Sequence, residues 1–175
     1  MHRRLALTAL LAATLLLGVG AASAAEKARP AGTGPSTVTA LLNVADLERS
    51  ADYYTRIIGL KEVRRILLGD RGYEVLISID GTANSSHITL ISLKDRKQPI
   101  AHGSAFDRIA FMVGSAAEVD ARTKAAADEG YKIVIPAQSV VTKDEKGAEV
   151  TYRYSHFKDP DGYTVELNHI STGDK

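Results

Sequence analysis

Thr37-Val38-Thr39-Ala40-Leu41-Leu42-Asn43-Val44 is a run of β-branched and apolar residues, and Asp46-Leu47-Glu48-Arg49-Ser50 follows it almost directly. The first run reads as a strand. Asp46 is placed to cap a helix, with Glu48 in the first turn, where the helix dipole favours an acid. Leu47, Ala51, Tyr54 and Ile58 then recur at helical spacing, and Gly59 closes the element. Tyr54 belongs to the apolar stripe; Tyr53 is expected on the more exposed side. Three strand-like runs come next, at residues 61–68, 73–79 and 87–93. Gly69-Asp70-Arg71-Gly72 separates the first pair, and Asp80-Gly81 with Asn84 separates the second.

The same order then returns. Residues 107–113 read as a strand, Ser115 with Glu118 makes a capping box, and an alanine-rich helix runs to Gly130. Strands are expected at residues 131–135, 149–157 and 163–170, with a polar loop inserted at residues 137–148. Seven residues separate Thr39 from Asp46, as they do Arg108 from Ser115. A strand–helix–three-strand unit used twice predicts an α+β fold. Two βαβββ modules, at about residues 37–93 and 107–170, would form a curved mixed sheet, a cup with its helices outside, within a domain at 37–171 followed by a tail at 172–175.

The residues ahead of this domain have another character. Arg3 and Arg4 precede an unbroken small and apolar run from Leu5 to Val19, and Ala22-Ser23-Ala24 offers a small-x-small cleavage site. That is the layout of a secretory signal peptide at residues 1–24, and the apolar run is short for a membrane span. Residues 25–36, with Pro30, Gly32, Gly34 and Pro35, read as a flexible linker. The mature protein is expected to be secreted or periplasmic in a bacterium. The chain has no cysteine, so disulfides, thiolate ligands and a cysteine nucleophile are excluded. Its formal charge of +1 becomes −1 without Arg3 and Arg4, with no basic run to serve as a nucleic-acid footprint. Neither nucleic acid nor, after cleavage, a membrane is expected as a partner.

Three stretches carry a family resemblance. Residues 42–50 with Tyr53-Tyr54 and Ile58-Gly59-Leu60 resemble the opening strand and helix of vicinal-oxygen-chelate domains, the superfamily of glyoxalase I, bleomycin- and fosfomycin-resistance proteins and extradiol dioxygenases. Ile109-Ala110-Phe111-Met112-Val113 resembles the opening strand of their second module. Phe157-Lys158-Asp159-Pro160-Asp161-Gly162 through Val165-Glu166-Leu167 resembles their closing hairpin. The likeness covers nearly all of the chain after residue 36. It implies that four side chains on the cup face, from the first and fourth strands of each module, stand where metal-dependent members bind a divalent ion. Here those positions are Thr39, Thr89, Arg108 and Glu166.

One carboxylate with threonines makes a poor divalent site, and Arg108 brings a permanent cation to it. No cofactor is therefore expected. The alternative is one divalent ion on a rearranged set of Glu166, His156 and His87. Strand parity puts Tyr152, Tyr154 and His156 on one face, with Thr164, Glu166 and Asn168 beside them. From the first strands, Thr37, Thr39, Leu41 and Asn43, and Arg108, Ala110 and Met112, share that face. Thr39, Asn43, Arg108, Tyr152, Tyr154 and Asn168 are thus candidate ligand-binding residues, with Glu166 and His156 candidate catalytic ones. Arg108 and Glu166 are expected within salt-bridge range, either reading a ligand or neutralising one another as a scaffold pair.

Three functions fit these residues. The first is an exported protein that encloses a small polar or anionic molecule, binding it or moving a proton on it. The second is a metal-dependent lyase, isomerase or dioxygenase using Glu166 with His156 and His87. The third is a non-catalytic domain that serves another protein. Exposed sheet edges also predict a homodimer.

Overall fold

The computed structural model describes residues 37–96 and 99–172. The expected signal peptide and linker, and all but Thr172 of the tail, lie outside them. Eight strands and two α-helices run in chain order: β1 (Thr39–Asn43), α1 (Leu47–Asp52), β2 (Lys61–Leu67), β3 (Gly72–Ser78), β4 (His87–Leu93), β5 (Ile109–Met112), α2 (Ala116–Asp128), β6 (Ile133–Lys143), β7 (Glu149–Lys158) and β8 (Thr164–Thr172). The repeated βαβββ unit and the α+β class are both present. Hydrogen bonding divides the strands into two four-stranded sheets, ordered β1-β4-β3-β2 and β5-β8-β7-β6. In each, the opening strand pairs parallel with the closing one, and the two hairpin pairings are antiparallel.

Both helices begin where the sequence places them. Asp46 accepts from the Arg49 N–H at 3.1 Å, and Ser115 Oγ from that of Glu118 at 3.1 Å. Glu118 reaches back one residue further than a capping box requires, to the Gly114 N–H at 3.2 Å. After α1 the chain continues as a π-helical turn over Tyr53–Ile57, in which the Ile58 N–H reaches the Tyr53 carbonyl five residues back. That turn corrects the expectation for Tyr53, which is fully buried. The widened turn brings two successive tyrosines inward, where Tyr53 meets Tyr131 edge-on at 4.8 Å and Tyr54 meets Phe111. Gly59, at φ +84°, then turns the chain; a Cβ there would lie 2.5 Å from the Arg122 guanidinium.

One apolar core serves both modules. Leu42 and Val44 of β1, Val75 and Ile77 of β3 and Leu90 of β4 join Val119 and Ala126 of α2, Phe157 of β7 and Val165 and Leu167 of β8. Each sheet therefore turns one face to the helices. The other face carries the alternate residues, and on β1 and β5 these are exposed: Thr39, Leu41 and Asn43, and Arg108 (just before β5), Ala110 and Met112.

The Phe157–Tyr163 hairpin does more than turn. Asp159 accepts from the Tyr54 hydroxyl at 2.8 Å and from the N–H groups of Asp161 and Tyr163. Asp161 accepts from the Ala45 N–H at 2.8 Å and the Ser50 hydroxyl at 2.5 Å. The closing hairpin of the second module thereby clasps the first helix of the first.

The expected loop at residues 137–148 is another correction. Residues 138–143 extend β6, pairing in regular register from Gln138 with Tyr154 to Lys143 with Glu149. Asp144 closes a tight turn, its side chain accepting from the N–H groups of Lys146 and Ala148. Residues 138–143 are exposed on both faces of the strand, so no buried face marks them in the sequence, and the pairing with β7 alone makes them strand.

Candidate functional site

The second sheet gathers the charged candidates. Arg108 precedes β5, Glu166 lies in β8 where β5 pairs with it, and His156 faces Glu166 directly across the β7–β8 ladder. Arg108 Nε and His156 Nε2 both contact Glu166 Oε2, the latter at 2.9 Å. The Asn168 amide donates to Oε1 at 2.8 Å. Both carboxylate oxygens are therefore engaged. Burial pushes the Glu166 carboxyl up, but Asn168, Arg108 and His156 together outweigh it and hold the group below its ordinary value. The hydrogen bond to Glu166, above all, raises Arg108 further.

Two consequences follow from valence. An ionised carboxylate only accepts, so His156 Nε2 carries the hydrogen, and the tautomer that leaves a lone pair free on Nδ1 is the one a base would use. Glu166 thus orients His156 as a triad acid orients its histidine, and the better-placed base is His156. Arg108 uses Nε on Glu166 and Nη1 on Asp107, while Nη2 has no protein partner among the described residues.

Around this cluster lies an open depression of about 460 Å³, lined by Arg108, Ile135, Val140, Tyr152, Tyr154, His156 and Glu166. The Tyr154 oxygen accepts from Gln138 at 2.8 Å, leaving its own hydrogen free, and its ring is tilted against His156 at 5.6 Å. Asn168 Oδ1 is buried without a partner. Asp107, Ile135, Gln138 and Val140 were not among the candidates. Gln138 and Val140 fall in the stretch expected as a loop, where the sequence carries no strand signal.

The first sheet holds the remaining candidates apart from these. Thr39 and Thr89 face each other with hydroxyls 3.4 Å apart. Asn43 accepts from Arg96 at 2.6 Å. His87 opens β4 with Nδ1 2.8 Å from the Ser85 carbonyl. Within one chain, then, His87 is not gathered with His156 and Glu166. Among the described residues no group of three or more His, Asp or Glu is placed to hold a metal ion. The donors at the four family positions do not fit a divalent cation either: two are threonines, and the guanidinium of Arg108 lies against the one carboxylate.

Comparison with known proteins points one way. Lactoylglutathione lyase of Escherichia coli O157:H7 is 27% identical over 127 residues, covering 73% of this chain and 87% of that protein. The lactoylglutathione lyase of Salmonella typhimurium matches over the same length at the same identity. Among solved structures, a glyoxylase/bleomycin resistance protein/dioxygenase domain from Frankia sp. EAN1pec superposes with a TM-score of 0.62 at 22% identity, covering 82% of this chain and 96% of that one. The trypanothione-dependent glyoxalase I of Leishmania major gives 0.55 at 22% identity, covering 75% and 84%. These structural likenesses establish the fold. The family model of the Glyoxalase/Bleomycin resistance protein/Dioxygenase superfamily matches residues 36–167, and the chain belongs to that superfamily.

Proposed function

We propose that this chain is an exported member of the superfamily that encloses a small anionic molecule on its second sheet without a divalent ion. One observation carries the reading: Arg108 and His156 share Glu166 Oε2, so a guanidinium takes the electrostatic place of the ion and keeps spare N–H donors for an anion. His156, oriented by Glu166, supplies a base should the bound molecule exchange a proton. Elemental analysis of dialysed mature protein, with mass spectrometry of small molecules released on denaturation, tests it. The expected result is an organic anion and no stoichiometric zinc, iron, manganese or nickel. A near-equimolar metal that is lost in Glu166→Ala would overturn it.

The cup belongs to a homodimer in this reading. Leu41, Met112 and Ile170 present exposed apolar side chains on the faces turned from the core, and a second copy related by two-fold symmetry would cover them. Export rests on the residues 1–24 pattern; N-terminal sequencing of the secreted or periplasmic protein should begin at Ala25.

A second reading is a metal-dependent enzyme, a glyoxalase-type lyase, an isomerase or a dioxygenase. The likeness to lactoylglutathione lyases favours it. It requires His87 to join His156 and Glu166, whether by rearrangement or from a second copy.

A further inference from the structure

We infer that the molecule held by the second sheet is an aromatic monocarboxylate, its carboxylate on Arg108 and its ring against Tyr152 and Tyr154. The inference rests on the anion reading just given and adds the class of molecule. It begins with the groups that are still free. Glu166 already accepts from Arg108, His156 and Asn168 and, being anionic itself, is no partner for an anion. Arg108 is filled on Nε and open on Nη2, while Nη1 is held only by Asp107, a largely solvated carboxylate. Such an exposed ion pair contributes little and is easily exchanged. A ligand carboxylate that displaces Asp107 gains the Nη1–Nη2 edge of the guanidinium, the paired geometry that carboxylates prefer.

The rest of the depression is unlike a site for a small inorganic anion. Beyond the cation its wall is Ile135, Val140, Tyr152 and Tyr154. Val140 is 46% exposed and Tyr152 37% exposed, directly opposite each other in the β6–β7 ladder. Apolar surface left in water beside a guanidinium matches a molecule with an anionic end and an apolar body. Tyr154 is held by Gln138 and lies against His156, so the wall is a fixed aromatic surface and suits a flat ring.

The experiment is a comparison of four probes on the full mature protein, followed by amide chemical shifts. Phenylacetate, acetate and 2-phenylethanol are titrated separately, with cyclohexylacetate as the non-planar control. Phenylacetate is expected to bind about tenfold or more tightly than each of the other three. Arg108→Met should weaken it about tenfold or more, and Tyr152→Ala should bring it down to the level of acetate. If acetate matches phenylacetate and both are lost in Arg108→Met, the aromatic class is overturned and the anion site stands. If 2-phenylethanol matches phenylacetate, the anion reading itself fails. No saturable shift with any probe overturns both. A Tyr152→Ala protein that becomes monomeric yet binds phenylacetate unchanged assigns Tyr152 to the interface and also overturns the inference.

Discussion

His156 Nε2 lies 2.9 Å from Glu166 Oε2, and the two residues face each other across the β7–β8 ladder although ten positions separate them in the chain. The pair joins a half-buried imidazole to a carboxylate held below its ordinary value. Because the Glu166 pKa is depressed in the folded state, its stabilisation is present above the unfolded value of about 4.3 and is lost as pH falls through the folded value. The stability of wild type in urea should therefore fall as pH drops below the unfolded carboxylate range, and Glu166→Gln should show a shallower acid limb. Parallel limbs in the two proteins would remove Glu166 from the account.

Arg108 completes that cluster from a solvated position, its side chain 39% exposed. A fully buried pair broken on one side would cost about 3–5 kcal/mol. At this exposure, screening by solvent reduces the cost, and Arg108→Met should lose about 1 kcal/mol or less. A loss near the larger figure, measured by denaturant unfolding at neutral pH, would mean that the pair is desolvated in solution.

Tyr54 and Asp159 form the buried counterpart. Asp159 is only 4% exposed, and burial raises its carboxyl despite the Tyr54 hydroxyl and the backbone N–H groups that lower it. A raised carboxyl works in the opposite sense to Glu166: its contribution is fullest below the unfolded value and is lost as pH rises through the folded one. Tyr54→Phe removes one stabilising donor and should cost about 1–3 kcal/mol. The loss should be larger at pH 7 than at pH 4, since the ionised carboxylate misses the donor most. Equal losses at the two pH values would argue that Asp159 stays protonated throughout.

Met112, 71% exposed on β5, tests the proposed assembly. Light scattering at micromolar concentration should give a dimer for wild type. Met112→Glu should shift it toward monomer, with intrinsic stability within about 0.5 kcal/mol because the side chain is largely solvated in its own chain. A monomeric wild type would refute the dimer.

Much of the fold was legible for local reasons. Caps at Asp46 and Ser115 mark both helix starts, since a helix leaves its first N–H groups unsatisfied wherever it folds. Alternation in β8 separates Val165 and Leu167, both fully buried, from Glu166 and Asn168 on the other face. The same parity on β7 aligns Tyr152, Tyr154 and His156. Tyr53 escaped because α-helical spacing was assumed where the chain widens into a π turn. Residues 138–143 escaped because their polar members read as loop and neither face of this stretch is buried, so only the pairing with β7 marks it as strand. Asp159 and Asp161 read as turn residues, which they are; that they also clasp Tyr54, Ser50 and Ala45 depends on contacts more than 100 residues away.

By itself, then, the sequence determined the two modules, their element order and the face that most strand side chains take, because caps, turns and strand parity act between near neighbours. Only the tertiary structure decided what lies opposite each face. Hydrogen-bond ladders close within each module, leaving β1 and β5 as separate edges. Thr39, Thr89 and His87 therefore stand on one sheet, and Arg108, His156 and Glu166 on the other. Parity fixes the direction of a side chain relative to its own sheet, but the distance between two sheets is set by how the helices and the Asp159–Asp161 hairpin pack between the modules, and no local pattern encodes that.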